Sequence, residues 1–543
     1  MSFDHDNAYG SARFALPEEI THAGLFEKKG LPFGLLHNRG LYHDNGAGVL
    51  IVGGAGSAKT TAWLIPMIMQ GGNFMVLDPK GENTAVILDG MAAIGGAVYC
   101  INPYQVFGYP NHRVSLLSHL KAGSSTLVGD SRRLCMTLLP NVSGSNNRFF
   151  DEKARLWADA IVRGIIVERG SVSFRSLYDA VNMIRSDWEA WLDRACAMAV
   201  DGPPDLEAVF SEMNAMNAGE AKTFDSVMSG ITNALAFMAD PANRETFVDD
   251  HEADFSLDVL TKSDNPVVVF VIMPPELIAP NAPVIRQCFS TMRTVKQRAA
   301  GGKPVALVID EAASLGAFPE IAEFYSIGRG FGIMPVTVYQ DQGQIQHNLG
   351  KTGAQTLSAN AALECYLGGG VRDLDTAQNL SRRLGNQTIA LDDKLTQESA
   401  RHAKQQAMRK MLFEGADPWQ TGQELRHQAY AASHQRHQSR ALMEPNEILS
   451  LDAGKTLVLA GGYQLPPFLI DKVPYYQRRD LAGRFFPNPY VSQDMHSVRV
   501  RTRFGYRTRQ ILEEPVPSWL AHLPQYADGQ PLRYVEGFKP KRR

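Results

Sequence analysis

Eight short, almost unbroken apolar runs limit the folds open to this chain more than any other feature. They are VLIVGG (49–54), FMVLDPKG (74–81), AVYCINP (97–103), VVVFVIMP (267–274), VALVIDEA (305–312), MPVTVYQD (334–341), LECYLGGG (363–370) and TLVLAGG (456–462). A strand with one face in water alternates apolar and polar residues, whereas a strand covered on both faces does not. These runs are rich in β-branched residues and close on Gly, Asp or Pro, as buried strands do. Helical patterns lie between several of them. The sequence therefore predicts an α/β domain on a mostly parallel sheet.

The pattern is interrupted twice. Between about 145 and 262 apolar residues recur at three and four, with Gly and Pro breaks, which predicts an all-α insertion over 145–262. From Asn146 to Lys262 it holds 11 basic and 21 acidic residues, although the whole chain carries only −3. The second interruption, 392–440, is polar and Gln- and His-rich, and is helix-prone in its first half (KLTQESARHAKQQAMRKMLF). The α/β domain is then expected from 1–144, 263–391 and 441–483. A basic extension, 484–543, has 11 basic and 5 acidic residues. It shows no clear period, and its last residues, KPKRR, are expected to fray.

Composition removes other classes. With 44% apolar and 20% charged residues the chain is globular. No run approaches the roughly 18 apolar residues of a membrane span. The start, MSFDHDNAYG, has no basic or apolar leader region, so no signal peptide is expected. Five scattered cysteines without C-x-x-C predict reduced thiols in the cytosol and speak against zinc. His427, His434 and His437 would share a face if helical, but in so polar a stretch a solvated surface is the expectation.

The first apolar run leads into GGAGSAKTT (Gly53, Gly54, Ala55, Gly56, Ser57, Ala58, Lys59, Thr60, Thr61), followed by AWLIPMI. This is nearly G-x-x-x-x-G-K-[ST], with Ala58 for the second glycine. Backbone N–H groups of such a turn wrap phosphates at a helix N-terminus. Lys59 would reach the β- and γ-phosphates, and the Thr60 hydroxyl would hold Mg²⁺. Ala58 falls where the helix begins, and helical dihedrals suit alanine, so the loop is expected to survive the change. The competing expectation is a plain glycine-rich strand–helix turn. In VALVIDEAASLG, Asp310 at a strand end would hold Mg²⁺ and Glu311 would polarise a water, unless the pair merely caps the next helix. Arg329 in SIGRGFGI could neutralise a neighbour's γ-phosphate, and Gln340, ending PVTVYQ, could sense it. Their rival roles are a surface arginine and a strand-end glutamine. Arg499, Arg501 and Arg503 alternate in HSVRVRTRFGYRTRQ, as if on one strand face, with Arg507 and Arg509 following. With Phe504 and Tyr506 they suit DNA or an acidic partner equally.

Together these stretches resemble the coupling ATPases of type IV secretion and conjugation, which resemble RecA-like DNA translocases with an inserted all-α domain. The resemblance rests on YGSARFALPEEI (9–20), the P-loop, FMVLDPKGEN (74–83), DEAASLG (310–316), GRGFGI (328–333), YQDQGQI (339–345), the segment 356–389, RALMEPNEILSL (440–451) and TLVLAGGYQLPPFLIDKVPYY (456–476). It implies ATP and Mg²⁺ as cofactors and hydrolysis through Lys59, Thr60, Asp310 and Glu311. Arg329 would act on a neighbour's site and Gln340 as sensor. It implies a homo-oligomeric ring, a hexamer, working on DNA and passing a relaxase–DNA complex or effector proteins to a secretion channel. The acidic helical insertion would receive basic cargo. The family usually starts with a membrane anchor, and here YGSARFA begins at residue 9. The expectation is a cytoplasmic protein held at the inner membrane by a separate anchored partner, unless an anchor has been removed. Two rivals remain: a DNA translocase or packaging motor unconnected to secretion, and an ATP-gated adaptor that hydrolyses nothing.

Overall fold

All eight apolar runs are strands of one sheet. In the computed structural model, residues 9–140, 148–299, 301–392, 394–413, 423, 426 and 435–542 are described. The strands are β1 (Leu31–Leu36), β2 (Arg39–His43), β3 (Gly48–Val52), β4 (Asn73–Asp78), β5 (Ala97–Ile101), β6 (Val267–Ile272), β7 (Val305–Ile309), β8 (Ile333–Tyr339) and β9 (Ala361–Leu367), then β10 (Asn386–Asp392), β11 (Gln435–Ala441), β12 (Lys455–Leu459), β13 (Phe468–Asp471), β14 (Ser497–Thr502), β15 (Gly505–Glu514) and β16 (Leu532–Val535). The large sheet has eleven strands in the order β2-β1-β13-β12-β9-β3-β8-β7-β4-β6-β5. From β9 to β5 every neighbour pairs in parallel. Every residue of β3, β4, β6, β7, β8 and β9 is buried, which is why these runs carry no alternation.

The sequence pattern does not reveal β1, β2 and β13. The β1–β2 hairpin turns on His37 and Asn38, both left-handed at φ +50° and +63°, with Leu36 paired to Arg39. Such a two-residue turn normally advertises itself as Asn-Gly or Asp-Gly. Here neither residue is glycine, and the signal is lost.

By contacts the chain forms two compact units, one of Pro17–Val371, Asp452–Leu465 and Leu469–Arg543, the other of Met1–Leu16, Arg372–Leu451 and Pro466–Phe468. This division cuts across the linear segments expected from the sequence. The first unit holds the parallel sheet. Among its described residues no strand lies between Ile101 and Val267. That interval is helical, with long helices at Arg148–Arg169, Phe174–Ser186, Trp188–Asp201, Pro204–Gly219 and Ala221–Ala234. Ser173 and Asp187 cap two of them, accepting from Ser176 N at 3.2 Å and Ala190 N at 3.1 Å. Trp157 packs on Phe224 with ring centroids 5.4 Å apart. No helix among the described residues is long and apolar enough to cross a membrane.

The 484–543 extension has no period legible in its sequence. It is regularly folded: β14, β15 and β16 form an antiparallel sheet. Leu520, Leu523, Tyr526, Leu532 and Tyr534 make a core with Ala92. Gln525 donates to Gly96 O and accepts from Val98 N, each at 3.0 Å, so its amide covers the backbone of edge strand β5. Pro515, Pro517, Pro524 and Pro531 interrupt the stretch between β15 and β16, and β14 and β16 are short, which leaves no period long enough to read.

In the second unit β10 and β11 pair antiparallel, and Ala12 N donates to Asn386 O at 2.9 Å. The helix Leu374–Leu384 starts on Asp373, whose carboxylate accepts from Thr376 N at 2.7 Å. A further helix spans Lys394–Phe413. His427 and His434 lie outside the described residues, as does the side chain of His437.

Candidate nucleotide site

The carboxyl ends of parallel strands are where α/β sheets gather their chemistry. The pairs Val52–Tyr339, Ile309–Thr337 and Leu77–Ile309 bring the ends of β3, β8, β7 and β4 level. Gly53, Gln340, Asp310 and Asp78 therefore sit side by side along one edge.

The loop after β3 is tied down at each turn. Gly53 N donates to Tyr339 O at 3.0 Å and Gly54 N to Gly370 O at 2.8 Å. A Cβ on Gly370 would lie 2.7 Å from Ser57 Cβ and 3.0 Å from Gly53 Cα, so the close approach of the two loops requires glycine. Lys472 donates from Nζ to Ser57 O at 2.9 Å and to Gly368 O at 2.8 Å. It thereby clamps the outward carbonyl of a peptide whose next N–H belongs to the loop. Sequence reasoning missed Lys472, because nothing in LIDKVP signals a partner more than 400 residues away. Lys472→Met is expected to raise KM for nucleotide about tenfold with kcat little changed, the loss of one charge-assisted clamp of ~1.5 kcal/mol. A nucleotide titration of the variant checks it.

Ala58 corrects an expectation. It is left-handed, at φ +64°, and helical dihedrals begin only at Lys59 (φ −50°, ψ −54°). This is the conformation for which glycine is the default residue. Alanine tolerates it at a cost of about 1 kcal/mol. Ala58→Gly is expected to leave turnover intact and to stabilise the chain by up to ~1 kcal/mol. Ala58→Val, β-branched in the same place, should destabilise the loop by about 1–3 kcal/mol. Chemical denaturation of both variants tests the pair. The helix that follows opens with a wide turn in which Ile65 N bonds Thr60 O, five residues back. Pro66, lacking an N–H, cannot make the ordinary bond in that turn.

Lys59 is partly buried and donates to Gly53 O at 2.9 Å. Burial lowers its pKa, while the charges of Asp310 and Glu311 act to raise it. Asp310 is buried, and its pKa is pushed up to about 7, first by burial and then by the Glu311 charge, with Lys59 opposing. Among the described residues its Oδ1 has no hydrogen-bond partner, and neither does the buried Ser57 Oγ. Buried polar atoms are seldom left so. An oxygen acceptor beside a lysine and a loop of N–H groups fits a phosphate-bound cation. Glu311 is itself left-handed (φ +54°, ψ +48°), and no side chain caps the short helix Ala312–Leu315. Glu311 is therefore not acting as a helix cap. Gln340 lies just past β8, its N–H donating to Gln344 Oε1 at 3.0 Å.

Asp78, by contrast, is fully engaged. Its carboxylate accepts from Asn83 N and Nδ2 at 3.3 and 3.2 Å and from Thr84 N and Oγ1, both at 2.8 Å. It fixes the Lys80–Glu82 turn beside the site. The extension reaches the same turn, with Asn488 Nδ2 donating to Glu82 Oε1 at 2.6 Å and Tyr490 Oη to Lys80 O at 2.9 Å.

Arg329 is not brought to this cluster. It is exposed, in the last turn of the helix Glu320–Phe331. Three residues later Gly332 O accepts from Val305 N, the first residue of β7, at 2.9 Å. Arg329 thus lies at the amino end of strands whose carboxyl ends carry Asp310 and Gln340, roughly 17 Å away along β7. Beneath it the turn after β2 is pinned by buried His43, with Nε2 2.8 Å from Ala47 O and Nδ1 2.8 Å from Tyr463 Oη. The basic cluster is divided as well. Arg499 and Arg501 lie on the exposed face of β14, on the same side of the hairpin as Tyr506 of β15, but Arg503 is in the turn. Arg507 and Arg509 pair with Val500 and Val498, on the opposite face.

Known proteins share this arrangement of strands and loops. The sequence model of the family described as type IV secretory system, conjugative DNA transfer, matches residues 13–414. The chain belongs to that family. The conjugal transfer protein TraG of Escherichia coli is 23% identical over 562 residues, spanning 90% of this chain and 80% of its own. The type IV secretion system-coupling protein VirD4 of Bartonella henselae is 24% identical over 192 residues, 35% of this chain and 25% of its own. Among solved structures, the plasmid coupling protein TrwB in complex with ADP and Mg²⁺ superposes with a TM-score of 0.58 at 17% identity, over 85% of this chain and 94% of that one. The RecA-like sheet with its helical insertion is the fold of this family member.

Proposed function

We propose that the chain is an ATP-driven coupling protein of a type IV secretion or conjugation system. Its P-loop binds ATP, hydrolysis drives transfer, and the cargo is a relaxase–DNA complex or effector proteins. The observation that carries this is the buried, partnerless Asp310 Oδ1 beside Lys59 in a DNA-transfer family member. Lys59 leaves Gly53 O for the β- and γ-phosphates, and Gly53 to Thr61 wrap them. Thr60 and Asp310 hold Mg²⁺, which neutralises charge on the transferring phosphoryl group. Glu311 orients the attacking water, and Gln340 reads the γ-phosphate from the adjacent strand. Arg329 serves the site of the next subunit in a homohexameric ring. The acidic helices of 145–262 offer basic cargo a docking face, and a separate membrane-anchored partner holds the ring at the cytoplasmic face of the inner membrane beside the channel.

Steady-state ATP hydrolysis with and without single- and double-stranded DNA tests the proposal, with Lys59→Ala as the blank. Turnover that rises with DNA and vanishes in the variant is expected. Tight ATP binding without turnover, with DNA present, would overturn hydrolysis and leave an ATP-gated adaptor.

A further inference from the structure

The end of the β14–β15 hairpin is basic, aromatic and largely exposed. Residues 499–509 hold five arginines, one Phe and one Tyr, and no acidic residue. Phe504, at the tip, is 85% exposed. The Arg499 guanidinium lies 4.7 Å over the Tyr506 ring, and that of Arg503 lies 5.8 Å from the Phe504 ring. Two of the five arginines are already occupied. Arg509 faces Glu536 at 3.7 Å, and Arg501 donates to Gln477 O at 3.0 Å. Arg499, Arg503 and Arg507 remain exposed, the first and last on opposite faces and the second in the turn.

We infer that this hairpin end is a single-stranded DNA platform, with bases stacking on Phe504 and Tyr506 and phosphates tracking Arg499, Arg503 and Arg507. The inference rests on the DNA-transfer function proposed above for its choice of polymer. Three features select the occupant. An acidic protein surface would be met by the arginines alone and gives a bare phenyl ring nothing to bury against. Every base, by contrast, has a face that stacks on an aryl group or a guanidinium. A rigid duplex meets one face of a hairpin, but here the charges lie on both faces and around the tip. Only a flexible strand can follow them. The root of the extension also bonds the Lys80–Glu82 turn through Asn488 and Tyr490, so the platform is joined to the nucleotide edge by a short path.

The test is fluorescence anisotropy of a labelled oligothymidylate with the full chain, against a duplex of equal length, across a salt series. Wild type should prefer the single strand. Phe504→Ala should weaken binding about 5- to 150-fold with an unchanged salt slope, as expected for one lost stack of ~1–3 kcal/mol. Arg503→Ala should instead flatten the slope by about 0.7. Phe504 is too exposed for its removal to unfold the chain. Variants that bind like wild type overturn the platform, as does a duplex preference that ignores Phe504. A changed oligomeric state in light scattering with DNA affinity intact also overturns it, and would assign the hairpin to another copy's acidic helices. ATP turnover is measured alongside. Normal turnover with no DNA binding sinks the platform alone, whereas absent turnover in wild type sinks the proposed function.

Discussion

Arg329→Ala is expected to lower ATP turnover by about 10³- to 10⁵-fold while leaving nucleotide affinity unchanged. The separation of effects follows from position. Lys59, Asp310 and Gln340 share the carboxyl edge of the sheet, and Arg329 stands exposed at the amino edge, about five strand residues away. It has no route to its own phosphate site, and among the described residues it forms no salt bridge that would hold it elsewhere. A guanidinium so placed can stabilise transition-state charge only across a subunit boundary. Mixing supplies the decisive measurement. Arg329→Ala subunits keep an intact P-loop, and Lys59→Ala subunits keep an intact arginine, so mixed rings contain some complete sites. Turnover should reappear on mixing two inactive preparations and peak near equal proportions. Stable mixed rings with no recovery would remove the arginine from catalysis. Arg329→Lys should rescue poorly, because an ammonium lacks the planar fork that grips two phosphate oxygens.

How much of this was legible beforehand differs between elements for physical reasons. The eight strands were visible as unbroken apolar runs, six of them buried at every residue, and so was the helical interval, where period 3.6 replaces them. Asp310, Glu311 and Gln340 fall where those runs end, and Lys59 in the loop that follows one; strand ends in a parallel sheet are pinned by register. What stayed hidden depends on contacts distant in sequence or on dihedrals. Lys472 reaches Ser57 across 415 residues, and the Asn488–Glu82 bond spans 406. Ala58 looked helical because a helix opens at the next residue, but its own φ is set by the loop's need to reverse direction before Lys59. The His37-Asn38 turn hid a hairpin because two residues other than glycine occupy left-handed positions. The arginines of 499–509 could be counted, yet only strand pairing shows that they divide between two faces and a turn.

Lys59→Ala is expected to abolish turnover, by a factor of about 10³ or more, and to weaken ATP binding as well, unlike Arg329→Ala. Two consequences follow from its surroundings. The Gly53 carbonyl loses the donor it has at 2.9 Å, so the loop's first peptide is released. Asp310 also loses a nearby cation that opposes burial and Glu311, so its carboxyl holds its proton more strongly than before. A proton on Asp310 and a cation on Asp310 exclude one another. The variant should therefore bind nucleotide weakly and, unlike wild type, gain little from added Mg²⁺. Lys59→Arg restores the charge but not the shape: a planar guanidinium does not replace the compact ammonium that donates to Gly53 O at 2.9 Å, and should recover affinity in part without turnover. Isothermal titration of ATP with and without Mg²⁺ across wild type and the two variants reads all of this. An alanine variant that binds and responds to Mg²⁺ like wild type would show that the phosphates are held elsewhere, and GGAGSAKTT would be only a tight turn between a strand and a helix.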